Sequence, residues 1–189
     1  MNWLLLVVLG WLFLGLEQGL RDALALSALG ATPSFVFILM AFVAMSAPRS
    51  TIFWTAAALG VCLDLLFRLP LREGTGTVTI LGPHALAYAI AAQLILSMRG
   101  LMIRRNPLTL GFLAFVGSLI AMLVLVGLYT IRHASGAPIA WEAKRQLLAA
   151  MGSSLYTGVL AILLAFVLLP LTSVLGFPDQ KSRWGGQRR

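Results

Sequence analysis

Polar interruptions divide the chain into six apolar runs. The first, Trp3 to Leu20, holds fourteen apolar residues before Glu17, which predicts a short span whose last turn reaches the interface. The second lies in ATPSFVFILMAFVAMSAP, residues 31 to 48. There Thr32 is the expected helix cap, Pro33 suits the first turn and Pro48 closes the run. The third extends from Thr51 to Phe67 behind Ser50, and the fourth from Leu81 to Met98 with Pro83 in its first turn. Asn106 and Pro107 open the fifth, Leu108 to Ile131. The sixth runs from about Leu147 to Gly176 and should bend at Pro170, whose ring removes a backbone donor.

Between these runs, RLPLREGTGTVTI (residues 68 to 80) is too polar to span and reads as an exposed loop or short hairpin. RHASGAPIAWEAKRQ (residues 132 to 146) is the other sizeable connection, with Trp141 suited to the interfacial belt. The expected organisation is all-α: a polytopic membrane protein with six transmembrane helices in a single bundle over residues 1 to 176. A basic tail follows at 177 to 189. No second domain and no clear internal repeat are visible.

Composition agrees with the pattern. Hydrophobic residues make up 60% of the 189 and charged residues 11%, with a mean hydropathy of +0.94, too little polar surface to coat a soluble globule. The net charge of +8 would in a soluble protein point to nucleic acid. Here the basic residues lie between and after apolar runs, as loops facing anionic lipid do, so no nucleic-acid partner is expected. The single cysteine, Cys62, sits inside an apolar run as a small core residue, and no disulfide framework or cysteine metal cluster can form within the chain. The amino end has no Lys or Arg ahead of its apolar stretch. Ala23 and Ala25 resemble a signal-peptidase site, but Glu17, Arg21 and Asp22 intervene, so the first run is read as a retained helix.

Orientation follows from the basic residues. With six spans, Arg49, the trio Arg99, Arg104 and Arg105, and the tail residues Lys181, Arg183, Arg188 and Arg189 share one side, eight in all. Arg21, Arg68, Arg72, Arg132, Lys144 and Arg145 make six on the other. The arginine cluster in a short turn tips the balance, and both termini are expected to be cytoplasmic.

That orientation puts Asp64, near the outward end of the third run, and His84, near the start of the fourth, each about 4.5 Å inside the outer boundary. Glu17 and Tyr129 fall in the same layer. An ionised group inside a span is by default a functional-site candidate whose partner must be named. Asp64 has two: Arg68 at i+4 and His84 on the next helix. Glu17 and Arg21, also at i,i+4, are expected to form a local ion pair at the interface. His84 and Tyr88 share a helix face, either as a structural pair or as a ligand-binding pair. Gly15 with Gly19, and Ala56 with Gly60, offer close helix packing. There is no HExxH, no Gly-rich phosphate loop followed by Lys and no pair of acids at helical spacing, so neither an enzyme nor a bound cofactor or metal is expected.

The run LGVCLDLL followed by LGPHALAY resembles the signature of the bacterial rod shape-determining protein MreD family. In that family a Gly and an acid end one helix, and a Gly-x-His-Ala-Leu-x-Tyr run opens the next. The matching positions are Gly60, Asp64, Gly82, His84, Ala85, Leu86 and Tyr88, and SSLYTGVLAILLAFVLLPL with Tyr156 is similar to the family's last helix. The polar loop 68 to 80 departs from the short Gly-Pro turn usual there. The resemblance implies a non-enzymatic inner-membrane subunit of the cell-elongation machinery that makes peptidoglycan. Its implied partners are MreC and, through it, MreB, RodA and RodA's penicillin-binding transpeptidase. It also implies a bundle related to the substrate-binding components of energy-coupling-factor transporters. Those components are the alternative reading, but they typically carry an Ala-x-x-x-Ala surface on the first helix, and WLLLVVLGWLFLGL contains no alanine.

Overall fold

The computed structural model describes residues 2–26, 30–71, 76–100, 102, 106–137 and 139–176. Arg72, Arg104, Arg105 and the tail 177–189, which carry much of the orientation argument, lie outside the described residues. The described residues form six helices: α1 (Trp3–Leu20), α2 (Phe35–Ser46), α3 (Arg49–Leu66), α4 (Pro83–Met98), α5 (Pro107–Ala134) and α6 (Ala143–Val174). Four of them, α1, α3, α5 and α6, are long and apolar enough to cross a membrane; α2 and α4 are shorter. The chain is thus a mostly helical protein with the build of a membrane protein.

α2 is the central post. Every residue from Phe35 to Met45 is buried, and the helix touches each of the other five. At twelve residues it is about 18 Å long, short of the roughly 30 Å hydrocarbon layer. It starts later than its sequence predicts, because Ser34 rather than Thr32 supplies the cap, with its hydroxyl accepting from the Phe37 amide at 3.2 Å. Pro33 therefore precedes the helix. By contrast, Asn106 caps α5 as expected, accepting from the Leu108 amide at 2.9 Å, and Pro83 and Pro107 open α4 and α5. α6 begins at Ala143, one turn ahead of its apolar run, and continues through Pro170.

The longest helices, α5 and α6, pack where a Cβ on Gly111 would run into Ile162 and the Gly158 carbonyl, and one on Gly158 into Phe115. Only glycine admits so close a crossing. α1 is the least embedded: Leu6, Leu9, Gly10 and Phe13 face inward, while Leu4 and Trp11 are 79% and 74% exposed. Gly15 and Gly19 meet no neighbour, so the close packing expected of them does not occur. At one end of the bundle the Asn2 amide donates to the Leu175 carbonyl at 3.1 Å, which brings the start of α1 to the finish of α6.

At the opposite end the two long connections join each other. Within the connection 68 to 80, β1 (Leu69–Pro70) pairs antiparallel with β2 (Thr77–Val78). Leu71 bridges Ile139, and the Ala140 amide donates to the Pro70 carbonyl at 3.0 Å. Buried Leu69, Ile80 and Ile139 anchor this cover on the core.

Candidate functional site

The C-terminal turn of α3 meets the first turn of α4 at a crossing that tolerates no side chain on Gly60, where a Cβ would strike the Ala85 backbone. Gly82, at φ +112°, turns the chain into α4 with a backbone that L side chains rarely adopt. Asp64, 1% exposed, then reaches across to the start of α4. Its Oδ2 accepts the Gly82 amide at 2.8 Å and the Ala85 amide at 3.4 Å. Its Oδ1 accepts the His84 amide at 2.9 Å and lies 2.8 Å from His84 Nδ1. The first amides of a helix have no partner within it and carry partial positive charge, so a carboxylate there satisfies both.

Asp64 therefore pairs with His84 and with the α4 backbone. Arg68, the other candidate, is exposed and forms no ion pair with Asp64, since it lies past the helix end where solvent is available.

Glu17 does the same service for α2. Its Oε2 accepts the Val36 amide at 3.1 Å, and the expected ion pair with Arg21 is not formed: the amino end of a buried helix outcompetes a cation that can reach solvent. The Arg21 guanidinium instead stacks on Phe67, 5.2 Å from the ring centre. The approach to α2 is held from the other side by α6, where Ser153 Oγ accepts the Thr32 amide and Thr157 Oγ1 the Ser34 amide, both at 3.0 Å. At the far end of α2, Arg99 donates to the Ala44 and Ala47 carbonyls at 3.1 and 2.7 Å. The central helix thus has an acid at its positive end and a base at its negative end.

These groups surround a cavity of about 160 Å³ beneath the loop cover, lined by Glu17, Arg21, Ser34, His84, Tyr88 and Tyr129 among others. His84 and Tyr88 share its wall without bonding each other. The Tyr88 hydroxyl lies 3.4 Å from Ser34 Oγ, and its ring meets Phe37 edge-on at 5.2 Å. Trp141 closes the outer side, its indole N–H donating to Thr130 Oγ1 at 3.0 Å and its ring 5.0 Å from Tyr129. Glu17, His84 and Tyr129, which the sequence places at one depth, do meet here, with Asp64 directly behind His84. Arg99, Ser153 and Thr157 escape a sequence reading because each serves a backbone on another segment, and Ser34 because Thr32 stands ahead of it as a cap candidate. The i,i+4 spacing of Ser153 and Thr157 on an apolar helix was the one available signal. Among the described residues no three His, Cys, Asp or Glu side chains gather as metal ligands. No protein-family model, no curated protein and no solved structure matches the chain, so its chemistry rests on this geometry.

Proposed function

We propose that the chain is a non-enzymatic scaffold subunit of the bacterial cell-elongation machinery, of the MreD type. In this reading all six helices lie in the cytoplasmic membrane with α2 enclosed by the others, both termini are cytoplasmic and the basic loops meet anionic lipid. One observation carries it. Five of the seven positions in the central motif that resembles that family, Gly60, Asp64, Gly82, His84 and Ala85, converge on a single clasp between α3 and α4. The Asp64 and His84 side chains and the backbone at Gly60, Gly82 and Ala85 hold helix ends together, which suits a part whose task is to keep a shape for others to bind. The contact between Asn2 and Leu175 favours placing both termini on one side.

The partners in this reading are MreC, docked on outward apolar helix faces, and through it MreB, RodA and its penicillin-binding transpeptidase. Depletion should make rod-shaped cells round, and the tagged protein should co-purify with MreC. Retention of a vitamin-sized ligand, or co-purification with a transporter ATPase, would favour the substrate-binding component of an energy-coupling-factor transporter instead. The volume of about 160 Å³ speaks against that alternative, because small-molecule sites typically enclose about 300–1,000 Å³.

A further inference from the structure

The cavity that Glu17 and Arg21 share is too small for a vitamin but is not a packing gap. An apolar cavity of about 150 Å³ holds a benzene, so 160 Å³ admits a solute of about six to nine non-hydrogen atoms, or about five waters at roughly 30 Å³ each. Its walls combine an acid in the last turn of α1 and a base at its carboxyl cap that form no ion pair. Glu17 is turned onto the amino end of α2, where it takes the Val36 amide and is also reached by the Phe35 amide and the Ser34 hydroxyl, and the Arg21 guanidinium lies over Phe67, its N–H donors without a protein acceptor among the described residues. Tyr129, 3% exposed, borders the same space, and its hydroxyl also has no hydrogen-bond partner among the described residues. Trp141 and Phe67 supply flat apolar surface beside them.

We infer that this cavity is a binding site for a small zwitterion of the amino-acid class, with its carboxylate on Arg21 and the Tyr129 hydroxyl and its ammonium against Glu17. A separated acid and base facing one cavity recognise both charges of such a molecule at once. A ligand with one charge would leave either the carboxylate or the guanidinium uncompensated in a partly dehydrated space, which is costly. The inference goes beyond the scaffold role and is independent of it: a scaffold without a ligand would fail the test below and still co-purify with MreC.

The test uses the full-length protein in lipid nanodiscs, with glycine, L-alanine, β-alanine and γ-aminobutyrate as probes and acetate and methylammonium as single-charge controls. Calorimetry or equilibrium dialysis should find at least one zwitterion bound with a Kd of about 1 mM or tighter, and the controls at least about tenfold weaker. Arg21→Gln should weaken that binding at least about tenfold without lowering the melting temperature, since Arg21 only stacks on Phe67. Glu17→Gln keeps a carbonyl for the Val36 amide and should lose binding likewise, so the result does not hang on one variant folding. Failure of every zwitterion to bind at about 10 mM, binding of acetate as tight as that of the zwitterions, or undiminished binding by both variants would each overturn the assignment.

Discussion

Asp64 and His84 meet twice: the same carboxylate oxygen accepts the His84 backbone amide at 2.9 Å and lies 2.8 Å from its ring nitrogen. The backbone bond belongs to helix α4 and the ring bond to the side chain alone. Two substitutions separate them. Asp64→Leu strands the amides of Gly82, His84 and Ala85 together with the ring, and at about 1–3 kcal/mol for each unsatisfied buried group it should cost at least about 3 kcal/mol. His84→Leu leaves the amide bonds in place and should cost less. Asp64→Asn keeps one acceptor oxygen and should fall between wild type and Asp64→Leu. The double change Asp64→Leu with His84→Leu should cost less than the sum of the two, because one contact is counted in both. Thermal unfolding in detergent measures the set. Full additivity would remove the ring contact from the account.

Gly60 and Gly19 make a matched comparison. A methyl at Gly60 enters the Ala85 backbone, whereas Gly19 has open space around it. Gly60→Ala should destabilise by about 1–3 kcal/mol or more through forced separation of α3 and α4. Gly19→Ala should be neutral or slightly stabilising, since alanine favours a helix interior by up to about 1 kcal/mol over glycine. Equal melting temperatures for the two variants would contradict the tight crossing.

The two ends of α2 can be opened separately. Glu17→Leu removes the acceptor for the Val36 amide, and Arg99→Leu removes the donor for the Ala44 and Ala47 carbonyls. Each should cost about 1–3 kcal/mol. Hydrogen exchange should report loss of protection at the amino end of α2 in the first variant and at the carboxyl end in the second. Uniform deprotection of the whole helix by either change would show that the ends are not independent.

The cover over the cavity predicts a crosslink. Paired residues in an antiparallel bridge have Cα atoms about 4.5–5.5 Å apart, within the range of about 4.4–6.8 Å that a disulfide spans. In a Cys62→Ser background, Leu71→Cys with Ile139→Cys should therefore oxidise to an intramolecular disulfide, seen as a mobility shift reversed by reductant. Persistently free thiols would place the two connections apart.

Sidedness is open to labelling. In the same Cys62→Ser background, Gly76→Cys should react in intact cells with an impermeant thiol reagent, while Asn106→Cys and Gln187→Cys should resist it until the cells are permeabilised. Reaction of Gln187→Cys from outside would invert the proposed orientation.

The helices were legible because apolar runs and the proline-bearing caps at Pro83 and Pro107 are local signals. The common depth of Glu17, His84 and Tyr129 was legible too, since helix rise converts sequence position into height. Partners were harder to read. Glu17 has Arg21 one turn away in the sequence, yet its bond goes to Val36, because a buried amide without an acceptor costs more than a partly solvated guanidinium without an anion. Arg99 looked like a cytoplasmic charge and proved to close the end of a buried helix. In each case the deciding group comes from a segment that periodicity cannot align with its target.

The enclosure of α2 bears on how the protein is made. A helix about 18 Å long that ends on partly buried charges gives the insertion machinery little to release sideways into lipid by itself, so it should enter the bilayer as a hairpin behind α1. Its two ends are then finished at different moments of synthesis. The acid that closes the amino end lies 19 residues upstream and is already present when α2 emerges. The arginine that closes the carboxyl end lies 52 to 55 residues downstream and arrives only with α4. Between those moments the nascent chain carries an open carboxyl end on its central helix, and a ribosome stalled after α3 should display an intermediate that a chaperone or protease can recognise and the finished protein no longer shows.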